Sequence, residues 1–327
     1  MVATIPLCTA PQSVFTKLLH SMQTPLNPVP GKPSALQAWR AAVRPPSLLL
    51  ALAPVLVGAS LGYRQSGHFD AVLALLAVLA AVLMQVITNL QNDVGYTQRG
   101  AERVGQRTGL PRATAMGWLR PQQVRLAIVV LSVLATALGL LLVALRGWPV
   151  LVLGATSLLA ALAYMGGPRP IAYTPFGEAT VFVFFGPVAV LGTGWLLTGG
   201  IGTTGVLASV AVGCLAAAAL AVNNHRDRVH DAQVGRSTFV VLFGERASQY
   251  GFALLLAIAF ATLPAMAWAS ARTWPLLVLA LAPAALRLWQ DFVACPGGMA
   301  YNTILFRTFR LGWWFALVLS ISVALLG

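Results

Sequence analysis

Long apolar stretches separated by short polar segments are the dominant pattern of this chain. A helix needs about 20 apolar residues to cross a bilayer, and nine stretches reach or approach that length. These predicted spans run approximately over residues 46–63, 71–92, 123–145, 148–165, 176–198, 203–224, 248–269, 274–290 and 310–326. The pattern therefore predicts an all-α, polytopic membrane protein with about nine transmembrane helices.

Composition agrees with this prediction and limits the available chemistry. The chain is 58% hydrophobic, and only 9% of its residues are charged, whereas a soluble domain carries roughly 25%. A water-soluble globule of this size is thereby excluded. The eight acidic residues are Asp70, Asp93, Glu102, Glu178, Asp227, Asp231, Glu245 and Asp291. Any site that needs carboxylates has to be built from this set.

The distribution of Lys and Arg predicts the orientation, because cytoplasmic loops are enriched in them. With the N-terminus inside, 18 of the 21 basic residues fall on the cytoplasmic side, and only Arg64, Arg146 and Arg272 lie outside. The same orientation places every acid except Asp70 on or near the cytoplasmic side. We therefore expect an integral membrane protein whose catalytic face, if it has one, is cytoplasmic.

The net charge of +13 raises the question of nucleic acid. Its arginines lie between long apolar runs, whereas a nucleic-acid interface needs a charged, solvated face, so we expect no nucleic-acid partner. Residues 1–38 lack the pattern of a cleaved signal peptide and are predicted to form a partly disordered cytoplasmic lead-in. Residues 39–327 are predicted to form one transmembrane domain, and no protein partner can be inferred.

The sixth span ends in the more informative of two polar segments. Asn223, Asp227 and Asp231 are spaced four residues apart, so they share one face if the helix continues beyond the membrane. Two aspartates one turn apart repel each other, and a divalent cation removes that repulsion. Carboxylate and amide oxygens suit Mg²⁺, which completes its coordination with water and phosphate oxygens. The spacing is therefore compatible with a Mg²⁺ site.

Arginines around these aspartates admit two interpretations. Arg226 and Arg236 are placed to bind the phosphate charge that a metal leaves uncompensated. Alternatively, Asp227 and Asp231 pair with Arg228 and Arg226 on a solvated turn. Spacing alone favours neither interpretation.

The second span ends in a related but weaker segment, ITNLQNDVGYTQRGAERVGQ. It lies four spans earlier and so points the same way through the membrane, which resembles a parallel internal repeat. Asp93 and Glu102 are its candidate ligands for a second metal. Spacing alone slightly favours the alternative, in which Glu102 pairs with Arg99 or Arg103.

The polar segment at the end of the sixth span, called the second motif below, and three further stretches resemble a known family. They are NNHRDRVHDAQVGRST at 223–238, WRAAVRPPSLLLALAPVLVGA, YMGGPRPIAYTPFGEATVFVFFGPVAVLGT and NTILFRTFRLGWWF. In this order they resemble the UbiA superfamily of intramembrane prenyltransferases, and within it the branch that prenylates 1,4-dihydroxy-2-naphthoate for menaquinone. The resemblance begins near Trp39 and extends over nearly all that follows.

This resemblance implies a fold, a cofactor and site residues. The family has nine helices around a central cavity, and two Asp-rich motifs hold Mg²⁺ and a polyprenyl diphosphate. A lipid-accessible channel holds the prenyl chain, and an aromatic acceptor attacks the allylic cation. By this resemblance Asp227 and Asp231 are metal ligands, Asn223 is the leading amide, and Arg226 and Arg236 contact the diphosphate.

The first motif departs from the family pattern. Asn92 and Asp93 match its opening, but Tyr96 stands where the middle Asp belongs and Glu102 where the last one does. A phenol is uncharged near neutral pH and binds Mg²⁺ poorly compared with a carboxylate. Either Asp93 and Glu102 suffice, or a metal site is weakened, or the activity has changed.

Further candidates come from the aromatic and acidic residues of the middle stretch. The chemistry requires stabilisation of a cation, which aromatic faces supply, and Tyr164 and Tyr173 are the main candidates. Glu178 is a candidate base or acceptor contact. The alternatives are that the aromatics are packing or membrane-interface residues and that Glu178 forms a buried pair with Arg169.

The sequence therefore predicts a Mg²⁺-dependent transfer of a polyprenyl group to an aromatic acceptor, expected to be 1,4-dihydroxy-2-naphthoate. Hydroxybenzoate, homogentisate and haem are alternative acceptors. A secondary transporter is an alternative of another class, since intramembrane Asp and Arg also mark transport paths. A catalytically inactive family member is the third.

Overall fold

The computed structural model describes residues 33–101 and 109–326, and these segments contain ten longer helices, two three-residue 3₁₀ turns (Pro45–Ser47 and Ile171–Tyr173) and no strand. The helices are α1 Ala35–Val43, α2 Leu48–Ser66, α3 Ala71–Gln98, α4 Pro121–Arg146, α5 Trp148–Ala163, α6 Gly177–Thr198, α7 Thr203–Gln233, α8 Phe239–Ser270, α9 Trp274–Val293 and α10 Ala300–Leu326. The predicted all-α membrane fold is confirmed. The predicted lead-in, residues 1–38, lies mostly outside the described residues.

Helices α2 to α10 correspond in order to the nine predicted spans. Eight segments of the described chain are long and apolar enough to cross a membrane, the first of them joining α1 to α2. Helix α5 is apolar but has only 16 residues, which is shorter than the roughly 20 that a spanning helix needs. Eight segments of the described chain are therefore candidate crossings by length and composition, and α5 is a shorter ninth apolar helix.

Helix α7 is the centre of the fold and packs against α2, α6, α8 and α10. In its most apolar stretch 72% of the residues are buried, against 17–44% in the other long helices. Small residues allow neighbouring helices to approach closely, as is usual in membranes. A Cβ on Gly213 would lie only 2.7 Å from the Phe182 carbonyl oxygen of α6. The crossing of α6 and α7 therefore requires glycine at 213.

Two helices depart from regular α-helical geometry. Helix α6 contains a π-helical segment, Phe184–Leu191, with Pro187 inside it; proline cannot donate the usual backbone hydrogen bond, which favours such a break. Helix α8 is kinked at Gly244, whose φ of +84° favours glycine. The predicted span beginning at residue 248 matches only the part of α8 after this kink.

Two helices extend beyond their predicted spans, and this extension positions the site. Helix α3 continues to Gln98, six residues past the predicted end, and α7 continues to Gln233, nine residues past it. Asp93 and Tyr96 on α3, and Asp227 and Asp231 on α7, are therefore on helices instead of loops. Asn223, Asp227 and Asp231 can share one face only if their helix continues beyond the predicted span, and α7 does continue.

Candidate active site

The ends of α3 and α7 meet at one face of the bundle. The His230 ring on α7 lies with Nε2 2.8 Å from the carbonyl oxygen of Ala101, just after α3. The Arg236 guanidinium lies over the Tyr96 ring, with Cζ 5.2 Å from the ring centre. The two polar segments that the sequence placed on one side of the membrane are thus in direct contact.

Asp227 is buried and held by its neighbour Arg226. The guanidinium donates from Nε to Oδ1 at 2.8 Å and from Nη2 to Oδ2 at 2.7 Å. It also donates to the Asn223 side chain at 2.9 Å and to Asn302 Oδ1 at 2.6 Å. Arg226 therefore fixes Asp227 and Asn223 of the second motif and joins them to α10.

Asp231 is fully buried and paired with Arg236. Arg236 Nη1 donates to Oδ1 at 2.5 Å, and Arg236 Nε donates to the carbonyl oxygen of Ala172 at 2.9 Å. The other carboxylate oxygen, Asp231 Oδ2, is buried without a hydrogen-bond partner. Because a buried charged oxygen without a partner is costly, Oδ2 is the clearest position at this site for a cation or donor from a ligand.

These ion pairs differ from the alternative that the sequence allowed. The partner of Asp227 is Arg226, and that of Asp231 is Arg236. Arg228 instead contacts Glu245 at 2.8 Å. Both aspartates are buried, so the interpretation of a solvated turn is wrong.

Asp93, on α3, is fully buried and holds residues 113 and 114 of the segment before α4. Its Oδ2 accepts from the Ala113 N–H at 2.9 Å, and its Oδ1 accepts from the Thr114 N–H at 2.9 Å and from the Thr114 hydroxyl at 2.6 Å. Both carboxylate oxygens are thereby engaged. Glu102, the other predicted ligand of the first motif, lies outside the described residues.

Tyr96 is buried between two guanidinium groups. Arg112 Cζ lies 3.6 Å from the ring centre and Arg236 Cζ lies 5.2 Å from it. Arg112 also donates to the carbonyl oxygen of Asn92 at 2.9 Å. An aromatic face at such distances attracts a cation. The position at which the resemblance predicts an acid thus holds two guanidinium groups beside an aromatic ring.

Glu178, at the start of α6, faces α7. Its Oε1 accepts from the Asn224 amide at 2.9 Å, so the predicted alternative of a pair with Arg169 is not formed. Glu178 Oε2 and Asn224 Oδ1 are both buried without hydrogen-bond partners. Together with Asp231 Oδ2, these are three buried oxygens from α6 and α7 that are free to bind a ligand.

Tyr164 lies between the polar side chains of Glu178 and Asn224 and an apolar cavity of about 230 Å³, which is formed by α2, α3, α5 and α6. A Cβ on Gly177 would lie 3.8 Å from the Tyr164 hydroxyl and 3.9 Å from Asn224 Nδ2, so both groups border this glycine. Tyr164 lines the cavity together with Phe184 and Phe185 of α6. The cavity is therefore mainly apolar, and at Tyr164 it adjoins the polar side chains of Glu178 and Asn224.

Tyr173 also lies close to Arg236. The guanidinium carbon of Arg99 lies 5.2 Å from the Tyr173 ring centre, and that of Arg236 lies 5.8 Å from it. Burial raises the pKa of the Tyr173 phenol above its ordinary value. The ring therefore stays neutral near physiological pH and presents its face to the cations.

The donor set suits a hard divalent cation that is only partly coordinated by protein. The described residues contain no group of three His, Cys, Asp or Glu side chains close enough to enclose a metal. Mg²⁺ does not require such a group, because it retains water and phosphate oxygens and uses one or two carboxylates. The partnerless Asp231 Oδ2 fits that requirement.

Several residues of the site escaped the sequence prediction. Arg112 and Thr114 lie in the segment between α3 and α4, and only the folded chain brings them to the end of α3. Asn224 and Asn302 lie within stretches that resemble the family, but their spacing gave no sign of contact with Glu178 or Arg226. The only available signal was the position of Asn224 directly after Asn223 of the second motif.

Comparison with known proteins identifies the fold and the relatives. A family model described as the UbiA prenyltransferase family matches residues 51–296. The 1,4-dihydroxy-2-naphthoate octaprenyltransferase of Escherichia coli (strain K12) is 37% identical over 230 residues, which is 68% of this chain and 74% of that protein. The protein of the same name from Bacillus subtilis (strain 168) is 28% identical over 301 residues, 90% of this chain and 94% of the relative.

Solved structures agree in fold. A UbiA homolog from Archaeoglobus fulgidus, bound to DMAPP and Mg²⁺, superposes with a TM-score of 0.66 at 16% identity, covering 88% of this chain and 99% of the homolog. The same homolog bound to GPP and Mg²⁺ gives a TM-score of 0.65 at the same coverage. At this identity the likeness establishes the fold.

Proposed function

This chain belongs to the UbiA prenyltransferase family and is an integral membrane prenyltransferase, and from this premise we propose its acceptor, cofactor and orientation. The acceptor is 1,4-dihydroxy-2-naphthoate, the donor is a polyprenyl diphosphate and the metal is Mg²⁺. The names of relatives at up to 37% identity support the acceptor. Homologous structures bound to Mg²⁺ with DMAPP or GPP support the donor and the metal.

One observation of the site carries the proposal. Asp231 Oδ2 is buried and has no partner, while Oδ1 of the same carboxylate is fixed by Arg236. An oxygen held in this way is preorganised for a cation, and an adjacent guanidinium suits a phosphate. The combination fits a metal-bound diphosphate and offers nothing to a neutral apolar ligand.

We propose that Asp227 and Asp231 hold Mg²⁺ at the second motif, and Asp93 and Glu102 at the first. When bound, Mg²⁺ stabilises negative charge on the departing diphosphate. Arg236 pairs with the diphosphate while it remains on Asp231. Arg226 already donates to Asp227, Asn223 and Asn302, so its diphosphate contact requires the release of one of these hydrogen bonds.

The other residues act on the organic parts of the substrates. The apolar cavity takes the prenyl chain and keeps water from the allylic cation. The faces of Tyr164 and Tyr173 stabilise that cation. Glu178, oriented by Asn224 through a 2.9 Å hydrogen bond, has a free oxygen that accepts the phenolic proton of the acceptor or binds its hydroxyl.

We propose that this site faces the cytoplasm of a bacterial inner membrane and that residues 39–327 form the catalytic domain. The concentration of 18 of 21 basic residues on the side of the site supports the orientation. An active site there receives a soluble aromatic acceptor directly from the cytoplasm, and the donor reaches the cavity from the lipid.

A substrate screen tests the function. Purified protein with Mg²⁺ receives a mixture of prenyl diphosphates and, separately, dihydroxynaphthoate, hydroxybenzoate, homogentisate or haem, and mass spectrometry identifies the products. We expect prenylated dihydroxynaphthoate, its loss on addition of EDTA and its return with excess Mg²⁺. Product from another acceptor alone would overturn the proposed acceptor and keep the enzyme class. Undiminished turnover in EDTA would overturn the metal.

A further inference from the structure

A second cavity lies at the opposite end of α7 from Asp231. Its volume is about 220 Å³, and it is formed where α2, α6 and α8 end and where α7 and α9 begin. Since α7 has 31 residues, its two ends are separated by about 45 Å at 1.5 Å per residue. The second cavity therefore opens at the membrane face remote from the candidate active site.

Two arginines without partners line this cavity. Arg64 is in the last turn of α2, and Arg272 follows α8. Both are exposed, and within residues 33–101 and 109–326 neither guanidinium makes a hydrogen bond or ion pair. None of the fifteen lining residues is acidic. The cavity thus has two positive charges that the surrounding described residues do not neutralise.

A third arginine at the same face, Arg146, differs from these two because its guanidinium has a hydrogen-bond partner. Arg146, at the end of α4, donates from Nε to the Leu196 carbonyl oxygen at 2.7 Å. It does not line the cavity. Only two of the three arginines assigned to this face by sequence are therefore directed to a shared space, and the third is anchored to the backbone of α6.

The backbone of the cavity wall adds donors to the arginines. Helix α7 begins at Thr203, and its N-cap, Gly202, provides no side-chain cap. Gly202, Thr204 and Gly205 all line the cavity. The first backbone N–H groups of a helix lack intrahelical acceptors, and together with the helix dipole they attract anions.

The floor of the cavity is apolar. Trp274 is buried there, and Leu61 and Leu191 line the same space. The rim carries Gln65, whose amide nitrogen would lie 2.9 Å from a Cβ on Gly200, so the loop before α7 packs against it. A ligand that fits this cavity has an anionic group at the rim and apolar atoms below it.

We propose that this cavity binds the phosphate group of an anionic phospholipid. The cavity is at the level where the apolar helices end, which is where lipid headgroups lie. Arginine binds phosphate oxygens in a bidentate manner, and basic pockets between membrane helices bind anionic headgroups in this way. The apolar floor contacts the glycerol and upper acyl carbons.

Native mass spectrometry of the detergent-purified protein tests this proposal. The probes are dioleoylphosphatidylglycerol, dioleoylphosphatidylcholine and, in a separate arm, inorganic phosphate. We expect wild-type protein to bind the anionic lipid in preference to the zwitterionic one. The double variant Arg64→Gln/Arg272→Gln should weaken that binding by roughly tenfold, because charged hydrogen bonds to phosphate are lost.

Arg146→Gln is the matched control, since it removes the same charge from the same face outside the cavity. We expect it to retain the lipid preference, and Arg272→Lys to retain most of it. Unchanged melting temperatures in phosphatidylcholine verify that the variants fold. Equal lipid binding by wild-type and double-variant proteins would overturn the proposal. Stabilisation by inorganic phosphate without any difference between the lipids would overturn the lipid as the source of the phosphate.

Discussion

At the end of α7, Asp227 and Asp231 each face a guanidinium, whereas at the end of α3 Asp93 faces the backbone of the segment that follows it. Both helices end at the same face of the bundle and both carry an Asn-Asp or Asn-x-x-x-Asp sequence. Asp231 keeps one oxygen without a partner. Asp93 has three hydrogen bonds from Ala113 and Thr114 distributed over both of its oxygens.

The difference shows that burial of a carboxylate does not by itself make it a ligand. A hydrogen bond to a charged group contributes about 1.5–3 kcal/mol, so recruiting Asp93 to a metal costs the bonds that hold residues 113 and 114. Recruiting Asp231 Oδ2 breaks nothing. The two motifs thus differ in how many hydrogen bonds a metal would have to replace, and we expect the second to bind the metal more strongly.

The largest expected effect comes from Asp231→Asn. Removing the carboxylate takes away the free oxygen and the counter-charge of Arg236, so we expect prenyl transfer to fall on the order of 10²–10³-fold, the usual cost of a lost electrostatic contact in a transition state. Turnover of dihydroxynaphthoate at saturating Mg²⁺ measures it.

Asp291→Asn is the control for that variant, because Asp291 is an exposed acid paired with Arg307 at 2.6 Å. We expect it to retain full activity. Binding of Mn²⁺, followed by electron paramagnetic resonance, should weaken in Asp231→Asn and remain unchanged in Asp291→Asn. Full activity in an Asp227→Asn/Asp231→Asn double variant would contradict the second motif as the metal site.

A smaller and different effect is expected from Asp93→Asn. Asparagine has one acceptor oxygen in place of two and cannot satisfy both the Ala113 and Thr114 N–H groups. We expect destabilisation by about 1–3 kcal/mol, the cost of an unsatisfied buried donor, together with reduced activity. The melting temperature in detergent and the turnover number are measured on the same preparation.

The combination of the two measurements separates the roles of Asp93. A lower melting temperature with normal Mn²⁺ binding would assign Asp93 to the support of residues 113 and 114. Lost activity at an unchanged melting temperature would instead make it a metal ligand equal to Asp231, and the difference between the two motifs would disappear.

The sequence predicted those parts of this site that depend on spacing along one helix. Asn223, Asp227 and Asp231 share a face because their separation of four residues matches the helical repeat, and no other element is needed to see it. The order of the helices followed from hydropathy, which depends on composition within each segment. The direction of α3 and α7 followed from counting crossings.

Contacts between distant segments could not be predicted in this way. Asp93 meets Thr114 across 21 residues, and Arg226 meets Asn302 across 76, so each depends on how helices pack. The same holds for the choice of Arg236 over Arg226 as partner of Asp231, since both lie within five residues of it. A single sequence carries periodicity, but tertiary packing decides between equally spaced partners.

The smallest effect, and the sharpest test of the comparison, concerns Tyr96. The Arg112 and Arg236 guanidiniums on its ring would neutralise a carboxylate at this position, so Tyr96→Asp should introduce a first-motif ligand without an unpaired buried charge. We expect turnover equal to the wild type or up to about threefold higher. This is a small effect, because even a tenfold change corresponds to only about 1.4 kcal/mol. Tighter Mn²⁺ binding should accompany it.

Tyr96→Phe is the matched variant, because it keeps the ring between the two arginines and should leave turnover within about twofold of the wild type, the cation–π attraction being a property of the ring face. A large loss from Tyr96→Asp with Tyr96→Phe unchanged would mean that the ring itself positions Arg112 and Arg236. In that case the first motif, at the end of α3, would bind the diphosphate through guanidinium groups instead of holding a metal. The carboxylates of the second motif, at the end of α7, would then hold the metal.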